Sequence, residues 1–143
     1  MIAVDTNILV YAHRQDSVFH EAAARAVQEL AESRAPWALP WPCVHEFFSV
    51  VTHPRIFDPP STTAQAIDQL AAWLASPSVV AVSEGETYWQ TFSHFLADGK
   101  ITGPAVHDAR IAALCVTHGV RELWTADRDF SRFPRLRVSN PLL

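Results

Sequence analysis

Met1-Ile2-Ala3-Val4-Asp5-Thr6-Asn7 opens the chain, and this stretch decides the fold. A short apolar run, residues 2–4, ends at an acidic residue, and too few residues precede it to form an amphipathic helix. The run therefore predicts a buried strand at the start of the chain. Asp5 follows that strand at its carboxyl end, which is where ligands bind in open parallel sheets.

Strands and helices alternate along the rest of the chain. Apolar runs predict further strands at residues 37–39, 79–82, 123–125 and 136–138. Amphipathic segments predict helices at residues 7–13, 42–53, 86–98 and 104–118, with two more capped near Asp16 and Ser61. We expect Asp16 and Ser17 to cap the second helix, and Ile67 to face the core from the fourth. The elements predict one α/β domain, residues 1–143, with a mainly parallel sheet of four to five strands flanked by helices.

The composition is that of a globular protein, with 49% hydrophobic and 18% charged residues. No apolar run approaches the roughly 20 residues that span a bilayer, and no basic region opens the N-terminus. We therefore expect a soluble, cytoplasmic protein with no signal peptide and no membrane association. Cys43 and Cys115 match no metal or redox spacing, which favours buried thiols in a reducing compartment.

The charge is unevenly distributed. A net charge of −4 is unusual for a protein that binds polyanions. From Lys100 onward, however, seven basic residues accompany four acidic ones, so the C-terminal part is net positive. A phosphate-binding face and an ordinary arginine-rich surface explain this pattern equally well.

Four acidic residues occupy positions that are unusual for solvated acids. Asp5 and Asp127 follow the first and fourth predicted strands at their carboxyl ends. Asp108 lies on the apolar stripe of its helix, one turn from Ile111, and Glu46 has mostly apolar neighbours in its own helix. We expect both helical acids to point toward the core.

Acids inside a protein need partners, because an unpaired buried charge is costly. No arginine lies within one helical turn of Glu46, and Lys100 is the only lysine. A divalent cation is the simpler partner, since Mg²⁺ and Mn²⁺ prefer hard oxygen ligands. For each acid alone, a helix cap or an internal hydrogen bond is an equal explanation, but the four together favour a metal site.

Four short motifs carry these acids. Val4-Asp5-Thr6-Asn7-Ile8-Leu9-Val10-Tyr11 and Val44-His45-Glu46-Phe47 come first, followed by His107-Asp108-Ala109-Arg110-Ile111-Ala112-Ala113 and Thr125-Ala126-Asp127-Arg128-Asp129-Phe130. In order and spacing they resemble the acidic motifs of the PIN-domain nuclease family, and within it those of the VapC-type toxins of bacterial toxin–antitoxin pairs. The resemblance covers nearly the whole chain.

The resemblance implies a PIN fold and a Mg²⁺- or Mn²⁺-dependent endoribonuclease. It also implies inhibition by a cognate VapB-type antitoxin, and a homodimer. RNA would be hydrolysed by metal-activated water, which does not need the 2′-hydroxyl of the substrate, so the products would carry a 5′-phosphate and a 3′-hydroxyl.

Within this interpretation we assign Asp5 and Asp108 as the principal metal ligands, and Asp127 completes the site directly or through water. Glu46 would hold a second ion or orient the attacking water. Residues expected to fix the carboxylates in place are Asn7, Thr125 and Asp129, although Asp129 equally well caps the turn that follows. Residues that would contact RNA phosphates, or serve only as surface charge, are Arg110, Arg128 and Arg132.

Other functions remain open at this point. A phosphotransfer enzyme or receiver domain also has an aspartate after its first strand, but Lys100 lies in a loop that is poorly placed for such a site. Asn7 is an amide where the haloacid-dehalogenase pattern has an acid. The remaining alternative is a catalytically weak RNA- or protein-binding module on a PIN scaffold, which the intact set of acids disfavours.

Overall fold

Five parallel strands form one sheet in the computed structural model, which describes residues 1–143. The strands are β1 (Ile2–Val4), β2 (Trp37–Pro40), β3 (Val79–Val82), β4 (Glu122–Trp124) and β5 (Arg137–Ser139). Their order across the sheet is β3-β2-β1-β4-β5, and every neighbouring pair is parallel. The predicted α/β fold is confirmed, and Asp5 follows the central strand.

Six α-helices connect the strands. They are α1 (Thr6–His13), α2 (His20–Glu32), α3 (Trp41–Val51), α4 (Thr63–Leu74), α5 (Tyr88–Asp98) and α6 (Val106–Thr117). There are also two short 3₁₀ turns. Gly103–Ala105 precedes α6, and Arg128–Arg132 follows β4. Each predicted helix is present within a few residues of its expected bounds. None of the helices is both long enough and apolar enough to cross a membrane.

The core is centred on β1, β2 and α6. Ala3, Val4 and the strand residues 37–39 are fully buried. In α6, residues 111–115 are all buried, so this helix is covered on more than one side. Burying a side chain the size of Val or Leu stabilises the fold by about 1.5–3 kcal/mol. This packing fixes the sheet edge and the start of α6 relative to each other.

Two details of the predicted helices are wrong. Asp16 and Ser17 do not cap α2, which begins at His20 with no side-chain cap. Asp16 instead forms an ion pair with Arg14, with 2.6 Å between Nη2 and Oδ2. The Ser17 hydroxyl accepts a hydrogen bond from the Phe19 backbone N–H at 3.1 Å, so both side chains stabilise the loop before the helix.

The inner face of α4 is also rotated from the expected one. Ile67 is 53% exposed, whereas Ala66, Leu70 and Trp73 are buried. These three recur at helical spacing, and Ile67 lies one residue, or about 100°, away from that stripe. The expected cap is present, because Thr62 and Gln65 form a reciprocal capping box at the start of α4.

Candidate active site

The carboxyl ends of β1 and β4 lie side by side. Val4 is in register with Trp124, and the Asp5 backbone N–H donates to the Trp124 carbonyl at 2.9 Å. The residues that follow these two strands therefore meet at one edge of the sheet. This pairing brings Asp5 next to Thr125, which is 120 residues away in the chain.

The Asp5 carboxylate is buried, with only 5% of the residue exposed, and it accepts four hydrogen bonds. The Thr6 backbone N–H donates to Oδ1 at 2.8 Å, and the Thr125 hydroxyl donates to Oδ2 at 2.8 Å. Longer contacts come from Asn7 Nδ2 at 3.3 Å and from the Cys43 thiol at 3.6 Å. Burial raises the pKa of Asp5, and the bonds from Thr125 and Thr6 oppose that rise.

Asn7 and Thr125 connect the loop after β4 to the start of α1. Asn7 Nδ2 donates to the Thr125 hydroxyl at 3.0 Å, and Asn7 Oδ1 accepts from the Ala126 backbone N–H at 3.0 Å. Thr125 Oγ1 also accepts from the Asp127 backbone N–H at 3.0 Å. The two polar side chains therefore hold the backbone that carries Asp127 against the residue that carries the buried acid.

A cleft of about 280 Å³, here called the acidic cleft, opens above this sheet edge. The four acids singled out from the sequence all line it, and they are Asp5, Glu46, Asp108 and Asp127. Asp129, expected to support the site, belongs to a tighter group. Carboxylate oxygens of Asp108, Asp127 and Asp129 lie within 4.8 Å of one another.

The like charges of these acids act on one another. The pKa of Asp108 is raised, first by burial and then by the charges of Asp127 and Asp5, while Arg132 opposes the rise. Burial also raises the pKa of Glu46. The nearby His107 opposes this rise, and the charge of Asp108 adds to it. A group of carboxylates that disfavour each other's ionised form is relieved by a bound cation.

The expectation that both helical acids face the core is wrong in its detail. Glu46 is exposed, and Asp108 is only half-buried. On α3 the buried stripe is formed by Cys43, Phe47 and Val51, at helical spacing. Glu46 lies beside this stripe and therefore reaches the rim of the acidic cleft rather than the interior.

The three arginines have different surroundings. Arg110 pairs with Glu84, with 2.7 Å from Nε and 2.6 Å from Nη2 to the same carboxylate oxygen. Arg132 donates from Nε to the Asp129 carbonyl at 3.0 Å, and its Nη2 lies 4.0 Å from the Asp129 carboxylate. Arg128 is exposed.

Two residues near the acids were missed in the sequence. His107 lines the acidic cleft, and the Cys43 thiol donates to Asp5. A signal for His107 was available, because it lies one helical turn before Ile111, which lines the same cleft. Cys43 carried no such signal, since its contact with Asp5 joins residues 38 positions apart.

Comparison with known proteins places this geometry in a family. The sequence matches the PIN domain over residues 2–136. Ribonuclease VapC43 of Mycobacterium tuberculosis (strain ATCC 25618 / H37Rv) is 36% identical over 142 residues, covering 99% of this chain and 96% of that protein. Ribonuclease VapC48 of the same strain is 30% identical over 137 residues, covering 96% and 94%.

Among solved structures, VapBC2 from Rickettsia felis, bound to a DNA fragment from its promoter, has a similar fold. The matched chain gives a TM-score of 0.72 with 19% sequence identity, and 98% of each chain is covered. At that identity the likeness concerns the fold alone. The match over nearly all of the sequence and the relatives aligned end to end show that this chain belongs to the PIN-domain family, in the group of the VapC ribonucleases.

Proposed function

We propose that this protein is a divalent-metal-dependent endoribonuclease and the toxin of a VapBC-type toxin–antitoxin pair. The observation that carries the proposal is the convergence of four carboxylates on one cleft. They come from the ends of β1 and β4 and from the helices α3 and α6. The relatives that carry the name VapC ribonuclease support it.

The site fits a hard divalent cation, Mg²⁺ or Mn²⁺. Its donors are carboxylate oxygens, and Asp108 forms no ion pair with a basic residue. Asp5, Asp108 and Asp127, which line the same cleft, would hold the ion, and Asp129 is close enough to Asp108 and Asp127 to join them. When bound, such an ion polarises a phosphoryl oxygen and lowers the pKa of bound water.

The protein's own residues orient the reaction. Glu46, at the rim of the cleft, would orient the attacking water, and burial raises the pKa of its carboxyl above the ordinary value. Thr125 and Asn7 keep Asp5 and the Asp127 backbone fixed. The residues that bind the RNA are Arg110, Arg128 and Arg132.

The proposal includes protein partners, a VapB-type antitoxin and a second copy of the chain. Exposed apolar side chains on the helices and their flanking loops support it, since Val18 is 92% and Trp89 is 65% exposed. Co-expression with the small protein encoded next to this gene should give a complex that no longer cleaves RNA. Absence of both complex and inhibition would remove the toxin–antitoxin part of the proposal.

Cleavage of RNA with Mn²⁺ and with EDTA tests the enzymatic part. The parent should cleave only with metal and leave 5′-phosphate ends. Asp108→Asn should reduce cleavage by at least about 100-fold, because it removes a charged metal ligand. Asp68→Asn, an exposed acid on α4 outside the acidic cleft, is the matched control and should cleave like the parent. RNA binding without any metal-dependent cleavage would favour the catalytically weak binding module instead.

A further inference from the structure

A second concave surface adjoins the acidic cleft. It has a volume of about 320 Å³ and is here called the side cleft. Glu46, His107 and Ile111 line both cavities, so the two are contiguous. The other residues that line the side cleft are Pro42, His45, Ser49 and Arg110.

The two cavities differ in chemistry. The acidic cleft is dominated by carboxylates, which repel a polyanion unless a cation is bound. The side cleft adds hydrogen-bond donors, from Arg110, His45 and Ser49, to a partly apolar lining formed by Pro42 and Ile111. Donors beside an apolar surface are suited to a group that has both a flat face and polar edges.

Arg110 is held in place before any ligand arrives. Glu84 engages its Nε and Nη2, while Nη1 forms no hydrogen bond within the chain. The side chain remains 38% exposed. A guanidinium that is already fixed loses less entropy when it binds a phosphate or the edge of a base.

His45 also has a supported orientation. Its ring lies near Trp41 with an interplanar angle of 29° and 6.1 Å between ring centroids. His45 is exposed, and it lines the side cleft together with Pro42. Unstacked bases of single-stranded RNA bind against flat side chains of this type, whereas bases in a duplex are not free to enter a cavity.

We propose that the side cleft binds the nucleotide next to the scissile phosphate of a single-stranded RNA, and that His45 and Arg110 determine which base is preferred there. The inference rests on the proposed function, because the acidic cleft must hold the scissile phosphate. Two cavities that share a wall then receive neighbouring nucleotides of one strand.

The test is cleavage of a random-sequence, single-stranded RNA pool with Mn²⁺, followed by sequencing of the product ends. His45→Ala and Arg110→Ala should each weaken the base preference at one position flanking the cut. On a single RNA of preferred sequence, KM should rise about tenfold with kcat changed by less than about threefold, as for lost substrate binding. Arg110→Lys should fall between the parent and Arg110→Ala, because the charge remains but the planar fork is lost.

Arg25→Ala, an exposed arginine on α2, is the control for lost charge and should behave like the parent. Melting temperatures of all variants check folding. If Arg110→Ala does not fold because Glu84 loses its partner, His45→Ala and Arg110→Lys decide by the same criteria. Unchanged base preference and KM in the folded variants overturn this inference while the proposed function stands. A parent that shows no metal-dependent cleavage overturns both.

Discussion

Asp5 differs from the other acids of the cleft in how it is held. Its two oxygens accept four hydrogen bonds, two of them short, at 2.8 Å from the Thr6 backbone N–H and from the Thr125 hydroxyl. Asp108 accepts none from the chain, and Asp127 accepts one, from the Asp129 backbone N–H at 2.8 Å. Asp5 therefore has a structural role in addition to any role toward a metal, whereas Asp108 is free to bind.

Replacement of the two acids should separate these roles. Asp5→Asn should lower the free energy of unfolding by about 1–3 kcal/mol, because an amide nitrogen cannot accept the hydrogen bonds that one carboxylate oxygen now receives. Asp108→Asn should leave metal-free stability unchanged or slightly higher. Urea denaturation of both variants and the parent in EDTA measures this, and equal losses in the two variants would contradict it.

The raised pKa of Asp108 predicts a pH dependence of metal-free stability. Burial and the charges of Asp127 and Asp5 make the folded state bind this proton more tightly than the unfolded state does. The stabilisation is therefore complete below the ordinary pKa, about 4, and is lost as pH rises through the raised folded-state pKa. In EDTA, the parent should lose stability relative to Asp108→Asn as pH rises from about 4 toward neutrality. Unfolding free energies measured across that range check the sign, and a constant difference would contradict it.

At the scale of elements, one hydroxyl links the segments that follow β1 and β4. Thr125 Oγ1 donates to Asp5 and accepts from Asn7 and from the Asp127 backbone. Three polar groups from two segments of the chain thus share a buried atom, and all of them lose a partner if it is removed.

Thr125→Val keeps the shape of the side chain and removes this atom. It should destabilise the protein by about 1–3 kcal/mol, the cost of leaving buried polar groups unpaired. It should also reduce RNA cleavage, because Asp5 and Asp127 are no longer held together. Thr125→Ser keeps the hydroxyl and should recover most of both losses. Denaturant unfolding measures the stability of both variants, and cleavage assays measure their activity. If Thr125→Ser is as impaired as Thr125→Val, packing of the methyl group is the cause.

The two wrong predictions of side-chain burial both concern residues of helices. The spacing of apolar residues in α3 and α4 indicates which side of each helix is buried. The border of that buried face, however, can shift by one residue, or about 100° around the helix. Ile67 and Glu46 both lie at such a border, and both are exposed. The neighbours packed against each helix, rather than the helix itself, decide on which side a border residue lies.

At the scale of the whole molecule, the acidic cleft joins segments that are more than 100 residues apart. A cation bound there would link β1, α6 and the turn after β4, and so stabilise the folded state in proportion to its affinity. A metal ion bound at this site would therefore couple metal binding to global stability.

Four melting curves test that coupling, for the parent and Asp127→Asn, each with EDTA and with excess Mn²⁺. Asparagine caps the 3₁₀ turn as well as aspartate does, so the metal-free variant should be as stable as the parent, or more stable by about 1 kcal/mol. Its melting temperature should rise less than that of the parent when Mn²⁺ is added. If the melting temperature of the variant in EDTA is much lower than that of the parent, and the response to metal is unchanged, Asp127 holds the fold together and does not bind the ion.

The sequence by itself determined the order of strands and helices, the parallel sheet and the acids that meet at its edge. Periodicity, caps and breakers are local properties, and the carboxyl ends of parallel strands necessarily share one edge. For Asp5 and Asp127 that rule was enough to predict that both lie at the same edge of the sheet.

Only the tertiary structure decided the strand order β3-β2-β1-β4-β5, the burial of Asp5 alone among the four acids, and the proximity of Asp129 to Asp108. It also decided the pairing of Arg110 with Glu84 and the side cleft next to the acids. These features depend on contacts between residues 15 to 120 positions apart. Such contacts are set by how whole elements pack, and the local pattern of the chain does not specify them.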